Sequence, residues 1–206
     1  MSKIIAIMLL LCCGMMLFGC ADDNGRRKAE QQKTIVVTDS VGRKVELPYP
    51  LERVAVCNVY NAELITAVGA IDKIVGVDNY IFKDQSGFKN RFNEAQVFGI
   101  SQNAMNYEKL AELAPQAVII TGEGTWRDAQ EMLDRFGIKV IVINSYYTDQ
   151  FADNCRLIGR IFGREEQAEE LVNYFNDKLA YIQKQLQGVP LSLIHISEPT
   201  RRSYIS

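Results

Sequence analysis

Continuous apolar runs that alternate with amphipathic helical segments leave this chain little choice of architecture. The runs lie at 53–57 (Arg-Val-Ala-Val-Cys), 73–77 (Lys-Ile-Val-Gly-Val), 117–120 (Ala-Val-Ile-Ile) and 139–143 (Lys-Val-Ile-Val-Ile). A strand that is apolar at every position must be covered on both faces. An alternating βα order achieves this with a parallel sheet between two helical layers. The expected fold class is therefore α/β and doubly wound. Ligands of such folds bind beyond the carboxyl ends of the strands. Here those ends open into loops at 57–61, 77–80, 99–104, 121–126 and 144–148.

Local signals fill in the order. A β-rich stretch at 34–39, a turn at 40–43 and a second β-rich stretch at 44–48 predict a hairpin. Asn58 or Asn61 can cap a helix over 62–68 that Gly69 ends. The polar, aromatic segment 78–96 reads as a loop, and 97–100 as a brief strand. Asn106 caps a helix over 107–113, stopped by Pro115. Thr125 opens the next helix with Asp128 three residues on, close to a capping box. Trp126, Ala129, Leu133 and Phe136 share one face of it, and Gly137 closes it. Phe151, Cys155, Ile158 and Phe162 form the stripe of a further helix. The last periodic segment, 165–187, places Ala168, Leu171, Val172, Phe175, Leu179, Ile182 and Leu186 at 3/4 spacing with no Gly or Pro. At 1.5 Å per residue it runs about 34 Å, longer than one small domain needs and suited to bridging two.

The two ends read differently from the middle. Lys3 precedes an apolar stretch over 4–18 that is short for a membrane span of about 20 residues. It ends in Leu17-Phe18-Gly19-Cys20 and is followed at once by polar residues. This ending resembles a bacterial lipobox, in which the chain is cut before the cysteine and the cysteine is lipidated. The expectation is a lipoprotein signal peptide over 1–19, lipidation at Cys20 and a flexible tether over 20–33. An ordinary signal peptide or an uncleaved anchor is the alternative. From Leu191 the chain reads Leu-Ser-Leu-Ile-His-Ile-Ser-Glu-Pro-Thr-Arg-Arg-Ser. This resembles a translated sequencing-adapter tail, so 191–206 is taken as non-native, with a short native tail as the alternative. About 170 residues remain between the two ends, enough for one α/β domain with a core.

Composition narrows the chemistry. The formal net charge is −2, with no basic stripe to suggest a nucleic-acid partner. The single histidine, His195, lies in the suspect tail, so the rest lacks the commonest base and metal ligand. No catalytic residue, metal site or cofactor is assigned. Gly122-Glu123-Gly124 lacks the Lys-Ser/Thr ending of a phosphate loop. Of five cysteines, Cys12 and Cys13 leave with the signal and Cys20 takes the lipid. A disulfide between Cys57 and Cys155 is chemically permitted outside the cytoplasm. Both nevertheless sit in apolar patterns, which favours buried free thiols.

The order of elements carries a resemblance. After the lipobox and hairpin come Arg53-Val54-Ala55-Val56-Cys57-Asn58-Val59-Tyr60-Asn61-Ala62-Glu63-Leu64, then Ile65 to Ala70 and Ile74-Val75-Gly76-Val77. Next are Asn106-Tyr107-Glu108-Lys109-Leu110, Leu113-Ala114-Pro115-Gln116-Ala117-Val118-Ile119 and Leu133-Asp134-Arg135-Phe136-Gly137-Ile138-Lys139-Val140, before the long helix. Over about 34–187 this resembles the solute-binding proteins of iron-siderophore, haem and cobalamin ABC importers. The resemblance implies two Rossmann-like lobes joined by a rigid interlobe helix, with the solute between them. On that reading 34–163 is the N-terminal lobe, 164–187 the interlobe helix, and the second lobe is missing. It also implies an extracytoplasmic, lipid-anchored protein, on the periplasmic side or outer face. Its partners would be a metal-chelate or corrinoid solute and a permease–ATPase complex. An extracytoplasmic α/β enzyme or a non-transport sensor domain is the competing class.

The rim loops supply the candidate ligand-binding residues. Asn58 and Tyr60 follow the first strand, and the family's solute touches this turn; a tyrosine there offers a ring face and a hydroxyl. Helix capping plus one exposed aromatic is the plainer reading. Tyr80 follows the second strand. Ser101 and Gln102 lie in the third loop, Glu123 in the fourth and Tyr146 in the fifth. Trp126 stands at a helix start on a core stripe and reads as core or site. Glu108, in the first turn of its helix, is favoured there by the helix dipole. In the family an acid at this place pairs with a permease arginine. The rim loops carry no arginine cluster of the kind catecholate siderophores attract, which tilts the expectation toward a less anionic chelate, haem or a corrinoid, or toward recognition by the missing lobe.

Overall fold

Along each buried strand, alternate residues enter two separate cores. Val54, Val56, Ala117, Ile119 and Ile141 face one layer, while Ala55, Val118, Ile120, Val140 and Val142 face the other. The computed structural model in which this is seen describes residues 33–84 and 86–187. The signal segment 1–19, Cys20, the tether as far as residue 32 and the tail 191–206 lie outside the described residues.

The strands β3 (Val54–Val56), β4 (Ile74–Val77), β5 (Ala117–Ile120) and β6 (Lys139–Val142) form one parallel sheet in the order β4-β3-β5-β6. Between them run α1 (Val59–Ala67), α2 (Asn79–Lys83), α3 (Tyr107–Leu113) and α4 (Trp126–Asp134), followed by α5 (Phe151–Phe162) and α6 (Glu165–Leu186). Residues of α1, α5 and α6 pack on one face of the sheet, and residues of α3 and α4 on the other. The winding direction reverses between β3 and β5, so the crevice at their carboxyl ends is the switch point of the fold. Cys57 and Cys155 are free and buried in opposite cores, with the sheet between them. Burial raises both thiols: Cys57 well above the ordinary value, with the charge of Asp78 adding to it, and Cys155 to about 12.

The hairpin of β1 (Thr34–Thr38) and β2 (Lys44–Pro48) is antiparallel, as its sequence predicts, and its turn is stitched to the edge strand β6. The Ser40 N–H donates to the Val142 carbonyl at 2.9 Å, and the Asn144 N–H donates to Ser40 Oγ at 3.1 Å. The buried Asp39 carboxylate accepts from the Val142 N–H at 3.3 Å and pairs with Arg43 at 2.7 Å.

Several local expectations are corrected. The first helix starts at Val59, because Asn58 caps it by accepting from the Tyr60 N–H at 2.9 Å. Asn61 is buried in its first turn, donating to the Cys57 carbonyl at 3.2 Å and accepting from Ser145 Oγ at 2.6 Å. The segment 78–96 is not all loop: Asp78 caps α2 by accepting from the Ile81 N–H at 2.9 Å. No regular strand forms over 97–100, which makes only single bridges from Val97 to Val77 and from Gly99 to Met105. Thr125 does not cap α4; its hydroxyl turns to the Gln102 carbonyl and Asn103 Oδ1, at 3.3 and 3.2 Å. Phe136 follows the end of α4 and is 48% exposed, off the core stripe.

The long helix α6 packs on α5 through its first half only. Ala168 and Val172 are buried, Leu171 and Phe175 partly so, while Leu179, Ile182 and Leu186 are exposed. Phe151 stacks on Phe175 with centroids 4.0 Å apart, and Arg156 pairs with Glu169 at 2.8 Å. Gly159 is needed at this contact, because a Cβ there would come 2.9 Å from the Arg164 carbonyl oxygen and closer still to Ala168.

Candidate functional site

At the switch point the loops after β3, β4 and β5 and the segment after Gly99 surround an open cavity of about 640 Å³. Ten residues line it: Asn58, Val59, Tyr60, Glu63, Asp78, Tyr80, Ser101, Gln102, Asn103 and Glu123. Such a volume suits a small-molecule ligand. Asn58, Tyr60, Tyr80, Ser101, Gln102 and Glu123, all selected from the sequence, therefore share one wall. Tyr60 and Tyr80 present the most ring surface, being 55% and 63% exposed.

The wall is held from behind by amide side chains. Gln102 Oε1 accepts from the Thr121 N–H at 3.0 Å and the Thr121 hydroxyl at 2.7 Å, and Gln102 Nε2 donates to the Glu123 carbonyl. This clips the third rim loop to the fourth. Asn144 Oδ1 accepts from the Gly122 N–H at 2.7 Å, which ties the fourth loop to the fifth. Gly124 has φ +88°, and a Cβ on it would lie 2.7 Å from Asn103 Oδ1. A glycine there serves both the turn and the approach of the third loop. Asn58 has φ +77° and ψ 127°, a sparsely populated conformation. The Asn58 N–H donates to Asp78 Oδ2 at 3.1 Å, so the cap and this bond hold the bend between them.

Asp78 is buried at 2% exposure beneath the cavity. Burial raises its carboxyl above the ordinary value, against the lowering effect of the N–H groups of Ile81, Asn58 and Tyr80. A raised folded value means that the folded chain holds this proton more tightly than the unfolded chain. The stability so contributed is complete below the ordinary value of 3.8 and is lost as pH rises through the raised one. Urea unfolding of the parent and of Asp78→Asn from pH 4 to 7 should therefore show the parent losing stability relative to the variant as pH increases. A difference that stays constant across that range contradicts this reading of Asp78.

Two of the candidate ligand-binding residues, Tyr146 and Trp126, stand outside the cavity lining. The Tyr146 hydroxyl donates to Glu123 Oε1 at 2.9 Å, and the Tyr146 ring lies 4.3 Å from that of Tyr147. Burial, then hydrogen bonds to Tyr147 and Glu123, keep that phenol protonated. Tyr146 thus meets the cavity through Glu123. Trp126 packs against the α3/α4 core, with Arg43 and Arg127 over its ring at 4.3 and 4.2 Å. Glu108 is exposed in the first turn of α3, whose cap Asn106 accepts from the Lys109 N–H at 2.9 Å. The cavity also includes Val59 and Asn103, from rim loops that the sequence marks, and Glu63 and Asp78, which sequence reasoning did not select. Glu63 stands three residues after Tyr60 on α1, a helical neighbour. Asp78 directly follows β4, where an Asp before an apolar turn signals a cap. Among the described residues no group of three or more His, Cys, Asp or Glu is placed to hold a metal ion.

A family model described as periplasmic binding protein matches residues 54–204. A comparison with curated proteins finds no match. Among solved structures, a periplasmic solute binding protein from Veillonella parvula is 28% identical with a TM-score of 0.63, over 77% of this chain and 50% of that one. The petrobactin-binding protein YclQ from Bacillus subtilis is 18% identical with a TM-score of 0.64, over 75% and 54%. The molybdate periplasmic binding protein MolA from Haemophilus influenzae is 21% identical with a TM-score of 0.65, over 77% and 55%. The last two bear on the fold alone. The chain spans about half the length of the solved structures it matches.

Proposed function

Because the chain belongs to the periplasmic binding protein family, we propose that it carries the first lobe of an extracytoplasmic solute-binding component of an ABC importer. The solute is captured at the switch-point cavity and delivered to the permease. One observation carries the reading: six residues from four rim loops, Asn58, Tyr60, Tyr80, Ser101, Gln102 and Glu123, line the same cavity. Polar and aromatic groups on a rigid, hydrogen-bonded rim suit binding and release. The solute is a metal chelate such as a siderophore complex or haem, or a corrinoid. The cavity is open, and in the whole protein a second lobe would close over it, with α6 as the rigid connection.

Two accessory roles belong to this proposal. Cys20 is the lipid anchor, motivated by the Leu-Phe-Gly-Cys ending before polar residues. Fatty-acid labelling of the expressed chain should vanish in Cys20→Ser, and equal labelling of both removes the anchor. Glu108 is a docking residue for the permease. Its exposed position in the first turn of α3, outside the cavity lining, lets its carboxylate meet a partner at low desolvation cost. In the whole protein, Glu108→Ala should leave solute affinity unchanged and reduce uptake modestly, and Glu108→Lys should reduce uptake further by like-charge repulsion against a permease arginine. Normal uptake with Glu108→Lys, or lost solute binding with Glu108→Ala, contradicts the docking role.

A further inference from the structure

The charge on the cavity wall is one-sided. Its lining contains two exposed glutamates, Glu63 and Glu123, and the buried carboxyl of Asp78, and no lysine or arginine. Glu63 and Glu123 are exposed on the rim, and Glu63 makes no hydrogen bond or ion pair among the described residues. At the positive amino-terminal ends of α1 and α2, which would favour an anion, N–H groups are already engaged by the chain's own side chains. Asn58 Oδ1 takes the Tyr60 N–H, while Asp78 takes the Ile81 N–H and the Asn58 N–H. The same lining holds the exposed Tyr60 and Tyr80, whose ring quadrupoles attract cations. An anion brought to this wall meets like charges in a partly desolvated cleft, and a cation meets opposite charges and π-faces.

We infer that the solute turns a positively charged face, of an organic cation or a cationic metal complex, toward this lobe. The inference rests on the proposed capture of solute at the switch-point cavity and adds the charge class. Three inert cobalt(III) complexes of similar size serve as probes: the tris(ethylenediamine) cation, the neutral tris(acetylacetonate) and the tris(oxalate) anion. Each is titrated into the isotope-labelled chain at low salt, in the dark, and followed by amide chemical shifts. The expected result is perturbation at Tyr60, Glu63 and Tyr80, with affinity for the cation about ten-fold or more above that for the anion and a gap that narrows with added salt. Glu63→Gln combined with Glu123→Gln should remove most of the preference, separating the cavity's charge from the net charge of the chain. Perturbation of the same residues by the anion at equal or higher affinity overturns the charge class while leaving the cavity as the capture site. A cation preference unaltered in the double variant also overturns it. If no probe perturbs the cavity residues, the capture site itself is contradicted and the inference falls with it.

Discussion

Replacing Asp39 with alanine should destabilise the lobe by about 3 kcal/mol, the low end of the range for breaking a buried ion pair. The Asp39 side chain is wholly buried and accepts five hydrogen bonds. The backbone N–H groups of Val41, Arg43 and Val142 reach it at 3.2, 2.9 and 3.3 Å, and the Arg43 guanidinium at 3.0 and 2.7 Å. Arg43 also donates to the Val140 carbonyl at 3.1 Å and to Gln130 Oε1, and lies over the Trp126 ring. Without the carboxylate, the hairpin loses its hold on β6 and the guanidinium remains in a site where its side chain is 21% exposed. That residual exposure lets water recover part of the loss, which sets the estimate low. Asp39→Asn, which keeps one acceptor oxygen, should cost less. Urea unfolding monitored by the fluorescence of Trp126 reads the effect at the site itself. A cost below about 1 kcal/mol for Asp39→Ala, the level of an exposed pair, would show that the hairpin docks mainly through its apolar residues Val37 and Leu47.

The largest functional effects should come from Tyr60 and Tyr80. Truncated tyrosines at the centre of a binding surface commonly cost about 2 kcal/mol or more, or about thirty-fold in affinity. Each single change to alanine in the whole protein should therefore weaken solute binding by at least about ten-fold, and the pair by more. Because both rings are more than half exposed, stability should move by no more than about 0.5 kcal/mol. Changes to phenylalanine separate the roles: retained affinity assigns the contact to the ring face, and lost affinity to the hydroxyl. Equilibrium titration with the transported solute is the measurement. Undiminished binding by the double alanine variant would place the solute elsewhere.

Elements set by local chemistry were legible in the sequence. The four apolar runs became the sheet because a strand buried on both faces needs no polar position. Asn106 capped its helix because an Asn side chain can accept an N–H three residues on. What escaped was decided by contacts distant along the chain. Thr125 had the chemistry of a cap, but the third rim loop offered its hydroxyl other partners. Phe136 kept helical spacing past the point where α4 ended. The five-residue α2 was too short to show a period and rests on Asp78. The stitching of Asp39 and Ser40 to β6 joins positions about a hundred residues apart, and no local pattern announces it. In the cavity, residues directly following strands were visible as rim positions. Glu63 was not, because it reaches the cavity from within α1.

The central claim is that a solute is bound at the carboxyl-end crevice of this sheet. Hydrogen–deuterium exchange of the whole protein, with and without each of a panel of ferric siderophores, haem and cobalamin, tests it directly. With at least one of these, protection should rise at 58–61, 78–80, 101–103 and 122–124, with the solute recovered chemically unchanged. Protection confined to other segments, no protection with any solute in the panel, or conversion of the solute into product would contradict the account.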